Sequence, residues 1–369
     1  MSPITERREN MRKWLFVGIM ILGALFVVTS FGTSMAADTL FKLNTAWEPE
    51  NETFITWYAK EHGWDKAEGL EFNMLYFDSG MGMLEALPAK QWQIGALGGT
   101  PAVVGAARYG SKVIAIGNDE SIANVIMVRA DSPIMKVKGW NPKYPDVYGS
   151  PELIKGKTVV CTTVSSGHFA LSSWLKVFGL KDSDVVIKNM DPFQCVAAFE
   201  SGVGDMVALW APHMYTGVEK GWKIAGDIKG CGVGLPIVII GEPEFLEKNP
   251  AIVEKFLHVY FRGIDMVKNT PIDKLVPEYK KFMKDYCGLE MTDAMCKMDI
   301  EKHPIFTVAE QIKMMDSSKG PSVVDVWELG VRDFFTEQGK FKPEDAAKVV
   351  GPDGKLNFIT DKYLKALVK

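Results

Sequence analysis

No two of the five histidines, His62, His168, His213, His258 and His303, stand at the i, i+4 spacing of a helical metal pair. None of the five cysteines, Cys161, Cys195, Cys231, Cys287 and Cys296, falls in a C-x-x-C or pairs with histidine at zinc-finger spacing, which leaves a structural zinc site unsupported. The chain has no G-x-S-x-G elbow, no G-x-x-x-x-G-K-[ST] phosphate loop and no H-E-x-x-H helix. A binding role is therefore expected rather than catalysis, with no cofactor and no metal. Basic excess is missing too: 42 Lys and Arg face 46 Asp and Glu, for a net charge of −4, and this disfavours a nucleic-acid partner. Internal repeats and low-complexity tracts are also lacking. An odd number of cysteines leaves at least one thiol unpaired in a monomer. Cys287 and Cys296 are the nearest pair and the candidates for a bridge in an oxidising compartment, with buried free thiols the equal alternative.

The amino terminus has the form of an export signal. Arg7, Arg8, Arg12 and Lys13 precede an uncharged, mostly apolar run from Trp14 to Phe31, and Thr33-Ser34-Met35-Ala36-Ala37 supplies small residues for cleavage after Ala36 or Ala37. Met11 is an alternative start. Retention as a membrane anchor is the competing reading, because the run approaches spanning length. No cysteine lies near the cut, which argues against a lipid anchor. Residues 1–36 carry four basic and two acidic side chains, so the remainder is more acidic than the whole. It is too long for one small core and points to two lobes.

Past the signal, strands and helices alternate. Strands are expected near 41–45, 70–76, 93–97, 112–116 and 124–128, and again near 158–162, 185–189, 206–209 and 236–240. The pattern from Asn249 onward is helical. Alternation of this kind predicts an α/β protein with mostly parallel sheets flanked by helices. In such sheets ligands lie beyond the carboxyl ends of strands, where loops feed helix amino termini. Three loops have that character: Ser79-Gly80-Met81-Gly82, Gly98-Gly99-Thr100-Pro101 and Ser165-Ser166-Gly167-His168. The last follows a buried strand and opens a helix, so its backbone N–H groups and serine hydroxyls favour an anion. An ordinary serine cap is the competing reading. Glu48 and Glu50 follow the first strand and suit a cationic group, although a solvated loop is their default.

Several of these stretches together resemble one family. The export signal, Trp47, Glu85-Ala86-Leu87, the run Ile94 to Pro101, the run Leu153 to Val159 leading to Ser165-Ser166-Gly167-His168, Asp205 to Pro212, Phe245 to Pro250 and Phe334 to Gly339 resemble the nitrate/sulfonate/taurine-type solute-binding proteins of ABC importers. The resemblance covers nearly all of the chain after the signal. It departs at Ala89 to Gln93 and in an insert around Trp140 to Ser150.

That resemblance implies a two-lobed type II periplasmic-binding-protein fold, with lobe I at 38–130 and 236–369, lobe II at 131–235, and the C-terminal helices packed on lobe I. The crossings would fall near Val128 to Ser132 and Gly234 to Ile237. It further implies a monomeric periplasmic receptor that passes a small anion to an inner-membrane permease. The ligand expected is an alkanesulfonate or an aminosulfonate such as taurine, or else nitrate or bicarbonate. Site residues would be Trp47, Gly80, Met81, Gly99, Thr100, Asn124, Ser165, Ser166, Gly167, His168, Trp210 and His213, with Glu48 as partner for an amine. The alternatives are a receptor for an aromatic thiamine precursor, an exported enzyme using His168 or His213 as base, and a periplasmic sensor.

Overall fold

A computed structural model of the chain describes residues 40–369 except 338 and 340, so the expected signal at 1–37 lies outside the described residues. The strands in chain order are β1 (Phe41–Trp47), β2 (Leu70–Tyr76), β3 (Ile94–Gly98), β4 (Lys112–Asp119), β5 (Asn124–Val128), β6 (Thr158–Cys161), β7 (Val186–Asn189), β8 (Met206–Trp210), β9 (Lys223–Asp227) and β10 (Pro236–Gly241). They form two five-stranded sheets, β2-β1-β3-β10-β4 and β7-β6-β8-β5-β9. Neighbouring helices flank both sheets, as the alternation predicts.

The two sheets repeat one plan. In the first, β1 runs parallel to β2 and β3, while β10 is antiparallel to β3 and β4. In the second, β6 runs parallel to β7 and β8, while β5 is antiparallel to β8 and β9. Each antiparallel strand is the one by which the chain enters from the other sheet. Strands β3, β5, β8 and β10 are buried throughout, which accounts for their continuous apolar runs in place of an alternating pattern.

The strand Asn124–Val128 therefore belongs to the second sheet, and the first crossing is Glu120–Ala123 rather than 128–132. Nothing local marks that switch, because β4 and β5 are similar apolar strands joined by a short polar turn. Residues 128–132 instead make a turn on the second lobe, where Arg129 donates to the carbonyls of Phe199 and Gly204 at 2.7 and 2.8 Å. The return crossing spans 228–235, slightly upstream of the expected one. The two crossings are bonded to each other: Glu120 N donates to Leu235 O at 3.1 Å, and Leu235 N donates to Ser121 Oγ at 2.9 Å.

The C-terminal helices do not stay on the first lobe. From the helices Ile272–Asp285 and Asp293–Lys302, Tyr279, Phe282 and Cys296 join one apolar cluster with Phe54 and Trp57 of the first lobe and Val125, Met127 and Leu209 of the second. Phe334 and Phe335, on the helix Val323–Glu337, stack edge to face on Phe169 and His168 of the second lobe. All five cysteines are buried and free, so Cys287 and Cys296 are not bridged.

Candidate functional site

A narrow cavity of about 20 Å³ lies at the carboxyl ends of the two sheets. From the first lobe it is lined by Glu48, Glu50, Ser79, Gly80, Met81, Gly98 and Pro101, and from the second by the loop Thr162–Ser166 and Trp210. The first-lobe loops hold their shape through short local links. Thr53 Oγ1 donates to Glu48 O at 2.7 Å, and Ser79 caps the helix Gly80–Ala86 by accepting from Gly82 N. Strand β3 runs directly into the helix Gly99–Tyr109, with Pro101 in its first turn, so Gly99 and Thr100 are helical rather than loop residues.

The serine loop is fully engaged with the protein itself. Ser165 Oγ donates to Thr162 O at 2.7 Å and accepts from His168 N at 3.2 Å. Ser166 Oγ reaches the first crossing and donates to Glu120 Oε1 at 2.7 Å. A Cβ on Gly98 would stand 2.3 Å from Ser166 Oγ, so glycine there is what lets the two lobes approach. Gly167 packs on the Trp210 ring. The amino end of the helix Ser166–Val177 thus already has an acid hydrogen-bonded to it, Glu120.

His168 is a correction to the expected site. It is 0% exposed, its Nδ1 accepts from Val164 N at 3.0 Å, and its Nε2 lies 2.7 Å from Asp182 Oδ2. Ser172 Oγ donates to the same carboxylate at 2.6 Å. Both ring nitrogens are used away from the cavity. What His168 does is hold Val164, a β-branched residue at φ 58° in the cavity wall, a backbone conformation that costs about 1–3 kcal/mol.

The remaining expected residues divide. Gly80, Met81, Ser165, Ser166 and Trp210 meet at the cavity. Trp47 does not line it: it is in the first-lobe core against Phe256, its Nε1 without a partner. Asn124 Nδ2 is held by Glu120 Oε2 at 2.8 Å, with its Oδ1 unpaired. Thr100 Oγ1 is buried and unpaired, and a Cβ on Gly99 would stand 2.8 Å from Glu328 Oε1. His213 lies behind Trp210, ring edge to face, and burial pushes its pKa down to about 4, so it is neutral.

Sequence reasoning undervalued the carboxyl groups. Glu48 and Glu50, expected in a solvated loop, are 4% and 6% exposed. Glu52, Glu120 and Glu328 are buried beside them. Burial first, and then the neighbouring acids, hold Glu48 and Glu50 well above the usual carboxylate range. Burial likewise raises Glu52 to about 8 and Glu120 to about 6. Glu328 is raised by burial and by Glu120, and neither of its oxygens has a partner. The nearby His303, against the downward push of burial, is raised to about 9 by Asp299, whose carboxylate is 3.1 Å from its Nδ1. The run Glu48-Pro49-Glu50-Asn51-Glu52 was one available signal. Glu328, between Val324 and Val331 on the buried stripe of its helix, was another.

Comparison with known proteins gives this geometry its context. Residues 51–273 match the family described as NMT1/THI5 like. The chain is 26% identical over 344 residues to a protein of Brachyspira hyodysenteriae named as a candidate ABC transporter periplasmic binding protein, covering 91% of this chain and 94% of that one. It is 28% identical over 195 residues to the taurine-binding periplasmic protein of Escherichia coli, covering 52% of this chain and 56% of the relative. Among solved structures, the periplasmic aliphatic sulphonate binding protein of Escherichia coli superposes with a TM-score of 0.62 at 20% identity, over 81% of this chain and 93% of that one. The periplasmic nitrate-binding protein of Synechocystis does so with 0.65 at 11%, over 89% and 88%. These neighbours carry the periplasmic-binding-protein fold, and the named relatives are binding proteins rather than enzymes. The chain belongs to the NMT1/THI5-like family, as a solute-binding protein of the ABC importer kind.

Proposed function

We propose that this protein is the periplasmic receptor of an ABC importer and that it holds one small organic solute in the cavity between Glu48–Glu50, Ser79–Met81, Thr162–Ser166 and Trp210. The observation that carries this reading is the placement of the cavity. It lies beyond the carboxyl ends of both sheets, where β-strand loops converge. The space is narrow as it stands, about 20 Å³, so a solute is admitted by parting of the two lobes. Two mutually bonded crossings join the sheets, a connection suited to hinge closure over a ligand and to presenting the closed form to a permease. Trp210 offers a flat apolar wall whose indole lies against the Glu50 carboxyl.

Two relatives are named for taurine and for aliphatic sulfonates, so taurine heads the panel of solutes, followed by ethanesulfonate, nitrate, bicarbonate and an aminopyrimidine. A thiamine-precursor pyrimidine has the ring to stack on Trp210. Isothermal titration with Trp fluorescence as a second readout should find one-to-one binding by at least one member. Trp210→Ala should weaken it by about tenfold to a hundredfold. Unchanged affinity in Trp210→Ala would place the solute elsewhere.

A further inference from the structure

The anion expected from the sequence would meet no cationic side chain in this cavity. Its ionisable lining residues are Glu48 and Glu50, and the charged groups facing them are Glu52, Glu120 and Asp78. His303 is the cation felt by Glu52 and Glu120, and it is already committed to Asp299. The serine hydroxyls that would have served an anion are spent on Thr162 O and on Glu120. Behind the lining, both oxygens of Glu328, Oδ1 of Asn124 and Oδ1 of Asn118 lack partners, as does the hydroxyl of Thr100. An anion would further oppose the ionisation of the lining acids, whereas a cationic N–H donor would favour it.

We infer that the ligand presents a cationic nitrogen, of the amine, amidine or guanidine class, to the carboxyl groups of Glu48 and Glu50 while its apolar body lies on Trp210. This rests on the reading of the cavity as the solute site and names the class of solute it takes. The carboxyl groups sit on the turn between β1 and its helix, fixed by the Thr53 bond, so they are placed before the ligand arrives. Trp210 is 4% exposed, lines the same space and sets its indole against the Glu50 carboxyl, so the apolar wall and the acid meet at one place. Burial and the neighbouring acids hold back the ionisation of Glu48 and Glu50, which a bound cation would favour. Its binding then releases protons to solvent, and its affinity rises with pH.

The test is a shape-matched pair of opposite charge, benzamidine and benzenesulfonate, titrated into the full chain. Benzamidine should bind at least about tenfold more tightly. Its binding enthalpy should vary with the ionisation enthalpy of the buffer, which reports proton release. Glu48→Gln and Glu50→Gln should each lower benzamidine affinity by about tenfold or more, with the melting temperature unchanged or raised because burial already resists ionisation of the replaced groups. Tighter binding of benzenesulfonate overturns the inference. So does the absence of any response to millimolar benzamidine, or the retention of full benzamidine affinity in a Glu48→Gln, Glu50→Gln double variant that still melts cooperatively. Trp210→Ala judges the site separately: if it abolishes binding of a solute that both Glu variants still bind, the cavity stands and the charge class falls.

Discussion

Two loops face each other across the cavity, and they have opposite hydrogen-bond economies. On the second lobe, Thr162 to His168 closes on itself: Ser165, Ser166 and both nitrogens of His168 all have partners within the protein. On the first lobe, Glu48 to Glu52 brings three carboxyl groups out of water, and of these only Glu52 feels a basic side chain, His303. A loop whose hydroxyls and imidazole are already bonded acts first as a scaffold, because those side chains have little left to offer a ligand. An underpaired one holds potential that a ligand can release. The contrast moves the chemistry of the site from the serine loop, where the sequence placed it, to the acidic turn.

Breaking the scaffold should have the largest effect. His168→Ala removes one of the partners of the buried Asp182 carboxylate and frees Val164 from the bond that holds its left-handed backbone. The expected loss is about 3–5 kcal/mol of unfolding free energy, read from urea titration. His168→Gln, which can keep one bond, should recover part of it. If His168→Ala left stability intact and abolished ligand binding, His168 would be a contact residue and the contrast would fail.

Relieving the underpaired side should act in the other direction and depend on pH. The folded protein holds the Glu52 proton up to about pH 8, whereas the unfolded chain releases it near the ordinary carboxylate value of 4.5. Between those values the unfolded state binds fewer protons, so stability falls as pH rises through the window. Glu52→Gln should flatten that decline and gain on the order of 2–4 kcal/mol at its alkaline end. Parallel pH slopes in the two proteins would show that Glu52 ionises as freely folded as unfolded.

Next comes the bond that ties the serine loop to the first crossing. Ser166→Ala leaves Glu120 with Asn124 as its side-chain donor, shifts the Glu120 pKa above its present value of about 6, and should cost about 2 kcal/mol. Measuring the unfolding free energy at two pH values straddling that pKa separates the lost bond from the retained proton.

The fold was legible because alternation and burial are local: nine of the ten strands fell within a few residues of their expected places, while β9 (Lys223–Asp227) was not anticipated and the sheets are mixed rather than mostly parallel. The crossing at Glu120–Ala123 was not, because β5 looks like any buried strand and its sheet is decided by partners far along the chain, Trp210 to Met206 and Lys223 to Asp227. Gly98, Ser166 and Trp210 could be picked from loop chemistry next to strands. His168 misled because a histidine in a ligand-type loop looks the same whether its ring faces the cavity or Asp182. Glu328 and Glu120 were hidden for a similar reason: an acid on a helix or in a turn reads as solvated until another lobe covers it.

The smallest expected effect is at Thr100, where the two economies meet. Its hydroxyl is buried without a partner on the first turn of the helix Gly99–Tyr109, close to the acidic side. Thr100→Val preserves shape and β-branching while removing an unsatisfied polar group, so stability should change by less than about 1 kcal/mol and in the favourable direction. The same variant asks whether that hydroxyl is kept for the solute. If affinity falls while stability rises, Thr100 belongs with Glu48 and Glu50 as a group left unpaired for the ligand. If stability drops, the hydroxyl has a partner within the fold and Thr100 joins the scaffold instead.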